Sequence, residues 1–513
     1  MTAFDLWDAL NDFLKIMNDK YRPLQLLPCV CSAVVALLGG VCWISSASAA
    51  PFTIQGPGVN PADFRITVFA ANLNFPVGMA RLSDGSLLVG VSQGSSFWNN
   101  SIGQVIRLTD TNQDGIADGP GSVLYTGLSG GQSALRVCGK LVFVTGQGVG
   151  RPISILRAGA TPDAPLTLVG KININYPAGR WYHPHSALGV RPTPGHPESC
   201  DLLFQLGSDQ NFAKTTRTAT ISSTQITGVN GTLEGESIYM LTLTDNETNV
   251  VASSLTRIAK GLRNPAGFAF HPATGDLYFE DNGIDGLVDS NEPLSADELN
   301  WIPAAQVGNG TVPDFGFPGN YTAYRTGTVV GGGGVQPLVT FQPLPNPANG
   351  SESEGPGDIA FAPAGFPPGL DHGVFVGFHG KWGLAGIANE ENPLVFVDLN
   401  TTNYFQFIGN NEPNIGHLDG LLSTEDSLFV ADITATGNTD SGANAGVIYQ
   451  IKSLVSRLSF RIDNGTLELT WPAGVLQQAD SLSGPWQDVP GATNHFAVNV
   501  DRNHAETFFR TKN

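Results

Sequence analysis

His183, Arg263, Asn264, Lys381 and Gln132 are of types that suit chemistry on a bound small molecule in this 513-residue chain. His379 and His417 stand at comparable places. An imidazole that titrates near neutrality can take a proton from a substrate hydroxyl. Arginine pairs with carboxylates through two parallel hydrogen bonds, and lysine supplies a point charge. One histidine among two or three cations suits a planar anionic cofactor with a proton acceptor beside it. A second cluster is the run Asp110-Thr111-Asn112-Gln113-Asp114-Gly115-Ile116-Ala117-Asp118. Its side-chain oxygens at Asp110, Asn112, Asp114 and Asp118, with a glycine for the sharp turn, suit Ca2+. It lacks the glutamate of the longer helix-flanked loops, and the same residues also make a polar hairpin turn.

The elements that must position these residues come from a repeated phrase: a small turn, an apolar step, a tight Gly- or Pro-rich turn, and a short apolar strand. Copies run from Pro76 to Val89, Gly131 to Phe143, His183 to Phe204, Asn264 to Phe279, Gly357 to Val376 and His417 to Val430. They recur roughly every 68 residues, and each is followed by a further alternating strand such as Val105–Leu108 or Val447–Gln450. A four-stranded antiparallel unit buries its faces only when neighbours stack on it. Six units closed radially make a six-bladed β-propeller, expected over residues 51–452. Loops gathered at one end of such a ring would carry the function.

Composition agrees with an all-β class. With 62 Gly and 34 Pro, about one residue in five breaks a helix, against roughly 12% in average usage. Charged residues make 14%, and the formal net charge is -19. Such a surface repels phosphate backbones, so nucleic acid is not an expected partner. At the N-terminus, Lys15, Lys20 and Arg22 precede an apolar run from Leu26 to Ile44, then Ser45–Ala50 with its A-x-A pattern. Residues 1–49 read as a signal peptide for secretion or periplasmic export, with no stable membrane insertion after cleavage. An uncleaved anchor is the other reading of that run. Met17 would begin a more ordinary signal. Cys29, Cys31 and Cys42 fall in this segment, leaving Cys138 and Cys200. Export allows these two to form a disulfide, and two buried thiols fit the sequence equally. No CxxC or Cys/His zinc spacing occurs.

Residues 456–513 break the repeat. Strands are expected at Leu467–Trp471, Phe496–Val500 and Thr507–Arg510, giving a small β-sandwich-like module. The stretch resembles short C-terminal modules of exported bacterial proteins, with a GPW turn at Gly484-Pro485-Trp486 and a terminal Phe508-Phe509-Arg510.

Across residues 65–452 a second resemblance appears. Gly261-Leu262-Arg263-Asn264-Pro265-Ala266-Gly267, then Asp281-Asn282-Gly283, Asp297-Glu298-Leu299-Asn300 and Asp314–Pro318 are similar to the glucose/sorbosone dehydrogenase family. Phe378-His379-Gly380-Lys381-Trp382 resembles the HGSW turn of its sorbosone branch. The resemblance implies a six-bladed propeller holding pyrroloquinoline quinone (PQQ) and Ca2+, and hydride transfer from a sugar or alcohol to PQQ. It implies His183 as general base, Asp209 orienting it, and Arg263 and Asn264 facing the quinone carbonyls. It also implies Gln132 contacting the cofactor, Lys381 pairing with a PQQ carboxylate, and the carbonyls of Gly283 and Ile284 holding Ca2+. Reoxidation would need an external electron acceptor, because no C-x-x-C-H haem attachment is present.

The chain departs from the family at Pro184-His185-Ser186, where a glycine pair usually follows the base, and at Tyr182, where an aspartate often precedes it. His185 is thereby a second candidate base. Ser208 shifts Asp209 by one residue, Ser133-Ala134 follow Gln132, and an insertion separates Gly283 from Asp297. Two other functions fit the same fold. One is a non-catalytic extracellular propeller that binds glycans or a protein. The other is a lactonase-like hydrolase with acidic ligands converging on one ion, for which Asp281 and Asp358 are the candidates.

Overall fold

Short apolar runs cut by Gly, Pro and Asp turns pair as antiparallel strands rather than propagate as helices. The computed structural model describes residues 50–99, 101–288, 292–455, 458–463, 466–471, 474–499 and 506–512. The expected export signal, residues 1–49, lies outside the described residues. Helical structure among the described residues is limited to the 3-10 turns Pro61–Asp63 and Gly386–Ala388. None of their helices is long and apolar enough to cross a membrane.

The six sequence phrases are six hairpins, each forming the inner half of an antiparallel sheet. The first sheet runs Met79–Arg81, Leu87–Gln93, Ile102–Leu108, Ser122–Ser129. The second runs Gln132–Cys138, Leu141–Gly146, Ile153–Arg157, Thr167–Asn175. The third is Leu188–Thr193, His196–Leu206, Ser237–Asp245, Val250–Lys260. The fourth is Pro265–Phe270, Leu277–Asp281, Asp297–Ile302, Val339–Phe341. The fifth is Pro356–Phe361, Gly373–Phe378, Leu394–Asp398, Tyr404–Ile408. In the sixth, Gly420–Ser423, Ser427–Asp432 and Gly446–Ser453 take their outer strand from the other end of the chain, Phe64–Leu73. Phe64 pairs with Ser453 and Leu73 with Gly446, so one sheet ties both ends of the ring together.

The first strand of each sheet packs on the first strand of the next, from Met79–Arg81 round to Gly420–Ser423 and back. A separate apolar cluster fills each gap between neighbouring sheets. This explains why the second strands read as continuous apolar runs. Leu202 and Phe204 face the second sheet, while Leu203 between them faces the fourth. Near the axis the backbones approach too closely for side chains. A Cβ on Gly420 would lie 1.9 Å from the Val77 carbonyl oxygen.

Two insertions decorate the ring. After His196–Leu206 the chain leaves the third sheet, and Thr218–Ser222 and Asn230–Glu234 extend the second. Tyr321–Thr322 and Val329–Val330 form a small hairpin on the way to the last strand of the fourth sheet. After the ring, two three-stranded sheets enclose their own core of Leu469, Trp471, Leu476 and Val489. The expected strands at 467, 496 and 508 lie in these sheets, joined by Val475–Ala479.

Cys138 and Cys200 are disulfide-bonded, linking the second sheet to the third across a sequence separation of 62 residues. Chain entropy makes a crosslink of that span worth ~4 kcal/mol. The Cys138→Ser/Cys200→Ser chain should unfold at clearly lower urea than the parent. Equal midpoints under non-reducing conditions would show that the two sulfurs are not joined in solution.

Candidate active site

At one end of the ring a cavity of about 620 Å3 opens among the turns that precede the inner strands. Pockets for small ligands typically span roughly 300–1,000 Å3. His183, Arg263, Asn264, Gly283 and Lys381 all line it, so the fold gathers five of the candidate residues from three sheets.

Arg263 and Asn264 are presented by a backbone anchor. Asp281, at the end of Leu277–Asp281, accepts the backbone N–H of Arg263 at 2.9 Å and of Asn264 at 2.6 Å. Burial pushes the Asp281 carboxyl up to about 7, against the lowering effect of those N–H donors. The Arg263 guanidinium is buried and donates to the Asn211 carbonyl, the Asn211 side chain and the Asn282 carbonyl. It also pairs with Asp285 at 2.8 Å, and Tyr182 donates its hydroxyl to the same carboxylate. Arg263 is therefore fixed before any ligand arrives.

His183 donates its backbone N–H to the Ser208 carbonyl at 2.9 Å. Its ring Nε2 is buried and has no hydrogen-bond partner among the described residues. Burial holds the imidazole well below its ordinary value, and the positive charges of Arg263 and Arg180 add to the effect. The ring is thus neutral at pH 7, the form a general base requires.

Asp209 does not orient this ring. It forms an ion pair with Arg217, whose guanidinium also donates to the Ala178 and Arg180 carbonyls. Ser208, one residue earlier, meets His183 at its backbone N–H and not at the ring. His185 is not an alternative base. Its Nδ1 contacts the Tyr176 hydroxyl at 2.8 Å and its Nε2 the Arg151 carbonyl at 2.6 Å, and it does not line the cavity.

Gln132 also misses the cavity. Its side chain is buried at the crossing of two glycines, Gly90 and Gly103, and donates to the Gln104 carbonyl. Ser133 and Gln147 line the cavity instead. The Ile284 carbonyl accepts the N–H groups of Leu294 and Ser295, and Ile284 stands outside the cavity wall. Gly283 donates its N–H to Asp297 at 2.6 Å. Lys381 reaches the cavity already paired with Glu391 at 2.8 Å.

The Asp110–Asp118 loop closes on itself. Asp110 accepts the N–H of Asp114 and Gly115, Asn112 that of Asp114, Asp114 that of Ile116, and Asp118 that of Thr111. Its three carboxylates are not gathered within 4.8 Å of one another, and the hydrogen bonds are those of a polar turn. Asp281 and Asp358 are each committed elsewhere, Asp281 to the backbone of Arg263 and Asn264. Asp358 pairs with Arg136 at 2.6 Å and accepts the N–H of Leu421.

Several wall residues were not among the candidates. Asp285, Glu354 and Glu391 carried no sequence signal, while Asp297 stood in the Asp297-Glu298-Leu299-Asn300 motif and Asp419 in a repeat copy without a role assigned, and all five add carboxylates. Asp297 bridges two sheets by accepting the N–H of Gly283 and of Gly355, and burial raises it to about 6. Asp419 holds His379 Nδ1 at 3.1 Å. His417 is fully buried between the His379 and Gly437 carbonyls. Trp382, 40% exposed, stacks on His379 at 4.3 Å and meets Trp98 edge-on at 5.3 Å. The His379 turn did signal itself through its HGSW-like sequence.

Comparison with solved structures follows this geometry. A Trichoderma reesei carbohydrate-active enzyme of family AA12, in a calcium structure, aligns over 79% of this chain and 98% of its own, with a TM-score of 0.50 and 16% identity. The chain shares that fold. The PQQ domain of a Coprinopsis cinerea pyranose dehydrogenase aligns over 78% of this chain and 97% of its own (TM-score 0.47, 16% identity). A PQQ-bound aldose sugar dehydrogenase from Streptomyces coelicolor aligns over 77% and 99% (TM-score 0.46, 16% identity). No family model matches the chain. An uncharacterized Borreliella burgdorferi protein is 44% identical over 61 residues, which span 12% of this chain and 14% of that protein.

The buried acids set a pH dependence. Burial pushes Asp281 and Asp432 up to about 7 and Glu298 up to about 8. Above pH ~5 these groups keep protons in the folded chain that the unfolded chain has lost, so raising the pH costs stability until they ionise. Below about 6.5 the sign is opposed by His183 and His185, both held neutral, the latter down to about 4. The melting temperature should therefore fall between about pH 6.5 and 8.5, and Glu298→Gln should flatten that slope. A midpoint rising over the same interval would contradict the burial of these carboxyls.

Proposed function

We propose that the chain is an exported dehydrogenase that oxidises a sugar or alcohol hydroxyl, with PQQ as the hydride acceptor. The carrying observation is His183: a neutral imidazole with an unpartnered, buried Nε2 on a cavity wall shared with a fixed Arg263. In this reading the six sheets are the six blades of a propeller over residues 51–452. Residues 1–49 form the export signal and 456–513 an accessory module. The Cys138–Cys200 disulfide supports an oxidising compartment.

The wall residues fit an anionic planar group in kind. Arg180, Arg263 and Lys381 are its cations. They face more carboxylates than that, but burial and mutual repulsion raise both Glu354 and Glu391, which lowers the opposing charge near neutral pH. Arg180, Arg263 and Lys381 would pair with the cofactor's carboxylates, and Asn264 would contact its carbonyls. The Gly283 carbonyl would serve a Ca2+ ion. When bound, the quinone supplies a two-electron acceptor for hydride. Everything else falls to the protein. His183 Nε2 takes the hydroxyl proton while the carbon's hydrogen departs with its electron pair. Arg263, held by Asn211 and Asp285, keeps its charge in place without reorganisation. Trp382 offers an apolar face to a sugar ring at the mouth. An external acceptor would take the two electrons away and so restore the oxidised quinone.

One observation favours a second reading, a non-catalytic glycan-binding propeller. Arg263 and Lys381 already have carboxylate partners within the cavity. A titration of full-length protein with PQQ in Ca2+ buffer separates the two. The dehydrogenase reading expects one saturable site, and its absence from folded protein would leave the glycan reading. His183→Ala should lose about 10^2–10^4-fold in dye-linked sugar oxidation while keeping PQQ affinity. The acid limb of the parent's kcat/KM should lie well below pH 6.5, because burial depresses His183. Undiminished turnover in His183→Ala would exclude it as the base.

A further inference from the structure

Glu352, Glu354 and Glu391 each offer a carboxylate oxygen, and these oxygens all lie within 4.8 Å of one another. Among the described residues no other group of three acidic, histidine or cysteine ligands converges in this way. The spacing is informative. Oxygens that ligate one Ca2+ at about 2.4 Å stand at most about 4.8 Å apart.

A cluster of acids can exist without an ion, so a second feature matters. Tyr324 is 1% exposed, and its hydroxyl makes no hydrogen bond of ordinary geometry but faces the Glu354 carboxylate. The charges it experiences are those of Glu354 and Glu352, then Asp297. A buried phenol with only a poorly aligned carboxylate beside it costs stability unless something completes its surroundings. Glu354 Oε1 is likewise buried and makes no hydrogen bond of ordinary geometry. The positive charges at hand are divided. Arg325 is shared between Glu292 and Glu352, and Lys381 between Glu390 and Glu391.

We infer that Glu352, Glu354 and Glu391, with the Tyr324 hydroxyl, form a binding site for a hard divalent cation, best suited to Ca2+. The ligands are three anionic oxygens and a phenol oxygen, with no nitrogen or sulfur, which selects against softer metals. The site uses none of the Asp110–Asp118 residues and neither the Gly283 nor the Ile284 carbonyl. Glu354 and Glu391 line the cavity, so the ion sits in its wall, where it offsets acidic charge facing any anionic ligand. The inference stands without PQQ and without the dehydrogenase reading.

The test uses chelator-treated full-length protein carrying Asp110→Asn and Asp114→Asn, which disables the other acidic loop, in buffer free of PQQ. Tb3+ is added with excitation through tyrosine, then chased with Ca2+ and, separately, Mg2+. One saturable luminescent site is expected, displaced by Ca2+ at lower concentration than by Mg2+. Glu354→Gln should weaken it at least ~10-fold, because affinity follows the count of ligating charges. Tyr324→Phe should keep binding but lose much of the sensitised emission. Ca2+ should raise the melting temperature of the parent and not of Glu354→Gln. If Glu354→Gln does not fold, Glu391→Gln replaces it with the same expectations. No saturable emission from folded parent, or unchanged affinity in the folded glutamine variant, overturns the site.

Discussion

Every turn that faces the cavity must be held by something, because its backbone N–H groups lie at the end of a sheet with no strand left to pair with. Buried acceptors near the ends of second strands solve this. Asp281 takes the N–H groups of Arg263 and Asn264, Asp432 those of Gly416 and His417, and the Gln205 side chain those of Ser186 and Ala187. Ser92 does the same for Gln132 through its hydroxyl. Two N–H donors per carboxylate explain why an acid can be buried there at all: it is fully engaged by the backbone it holds. The side chains that line the cavity inherit their positions from these anchors.

The anchors are useful only on a rigid frame. That rigidity comes from two-sided burial: each inner hairpin is packed between neighbours, with a separate apolar cluster in every gap. The frame closes through Phe64–Leu73, which pairs with Gly446–Ser453. Closure removes the exposed inner edges that an open array of such sheets would present. The small residues near the axis follow from the same closure. Gly78 and Gly420 sit where neighbouring backbones leave no room for a Cβ.

The repeat was legible because its signals are local: Gly- and Pro-rich turns and short apolar strands recur in all six hairpins. His183, Arg263, Asn264 and Lys381 were legible because they sit next to those turns. Gln132 shows the limit. It follows a turn like the others, yet its side chain is directed into the space between Gly90 and Gly103, a consequence of packing across sheets. Asp209 lost its expected partner to Arg217, eight residues on. The acidic wall escaped notice because Asp285, Glu354 and Glu391 come from insertions and outer turns with no common phrase. The Asp110–Asp118 loop drew attention through its composition alone. Its geometry spends that composition on its own backbone.

Charge balance is the physical question on which the function turns. The cavity wall carries Arg180, Arg263 and Lys381 against Asp285, Asp297, Glu354, Glu391 and Asp419. Left to themselves, buried acids protonate: burial raises Asp297, Glu354 and Glu391, and neighbouring carboxylates add to the shift of the two glutamates. A cation in the wall achieves the same relief while keeping the carboxylates ionised. The two solutions differ in what they offer a ligand. Protonated acids make a neutral surface with hydrogen-bond donors, whereas a bound divalent ion makes a positive one beside Arg263 and Lys381. An anionic planar cofactor gains more from the second, since its own charges then meet a field of opposite sign in a partly desolvated site. The acidic wall is therefore compatible with an anionic ligand to the extent that its carboxylates are already committed, to protons, to arginine and lysine, or to an ion.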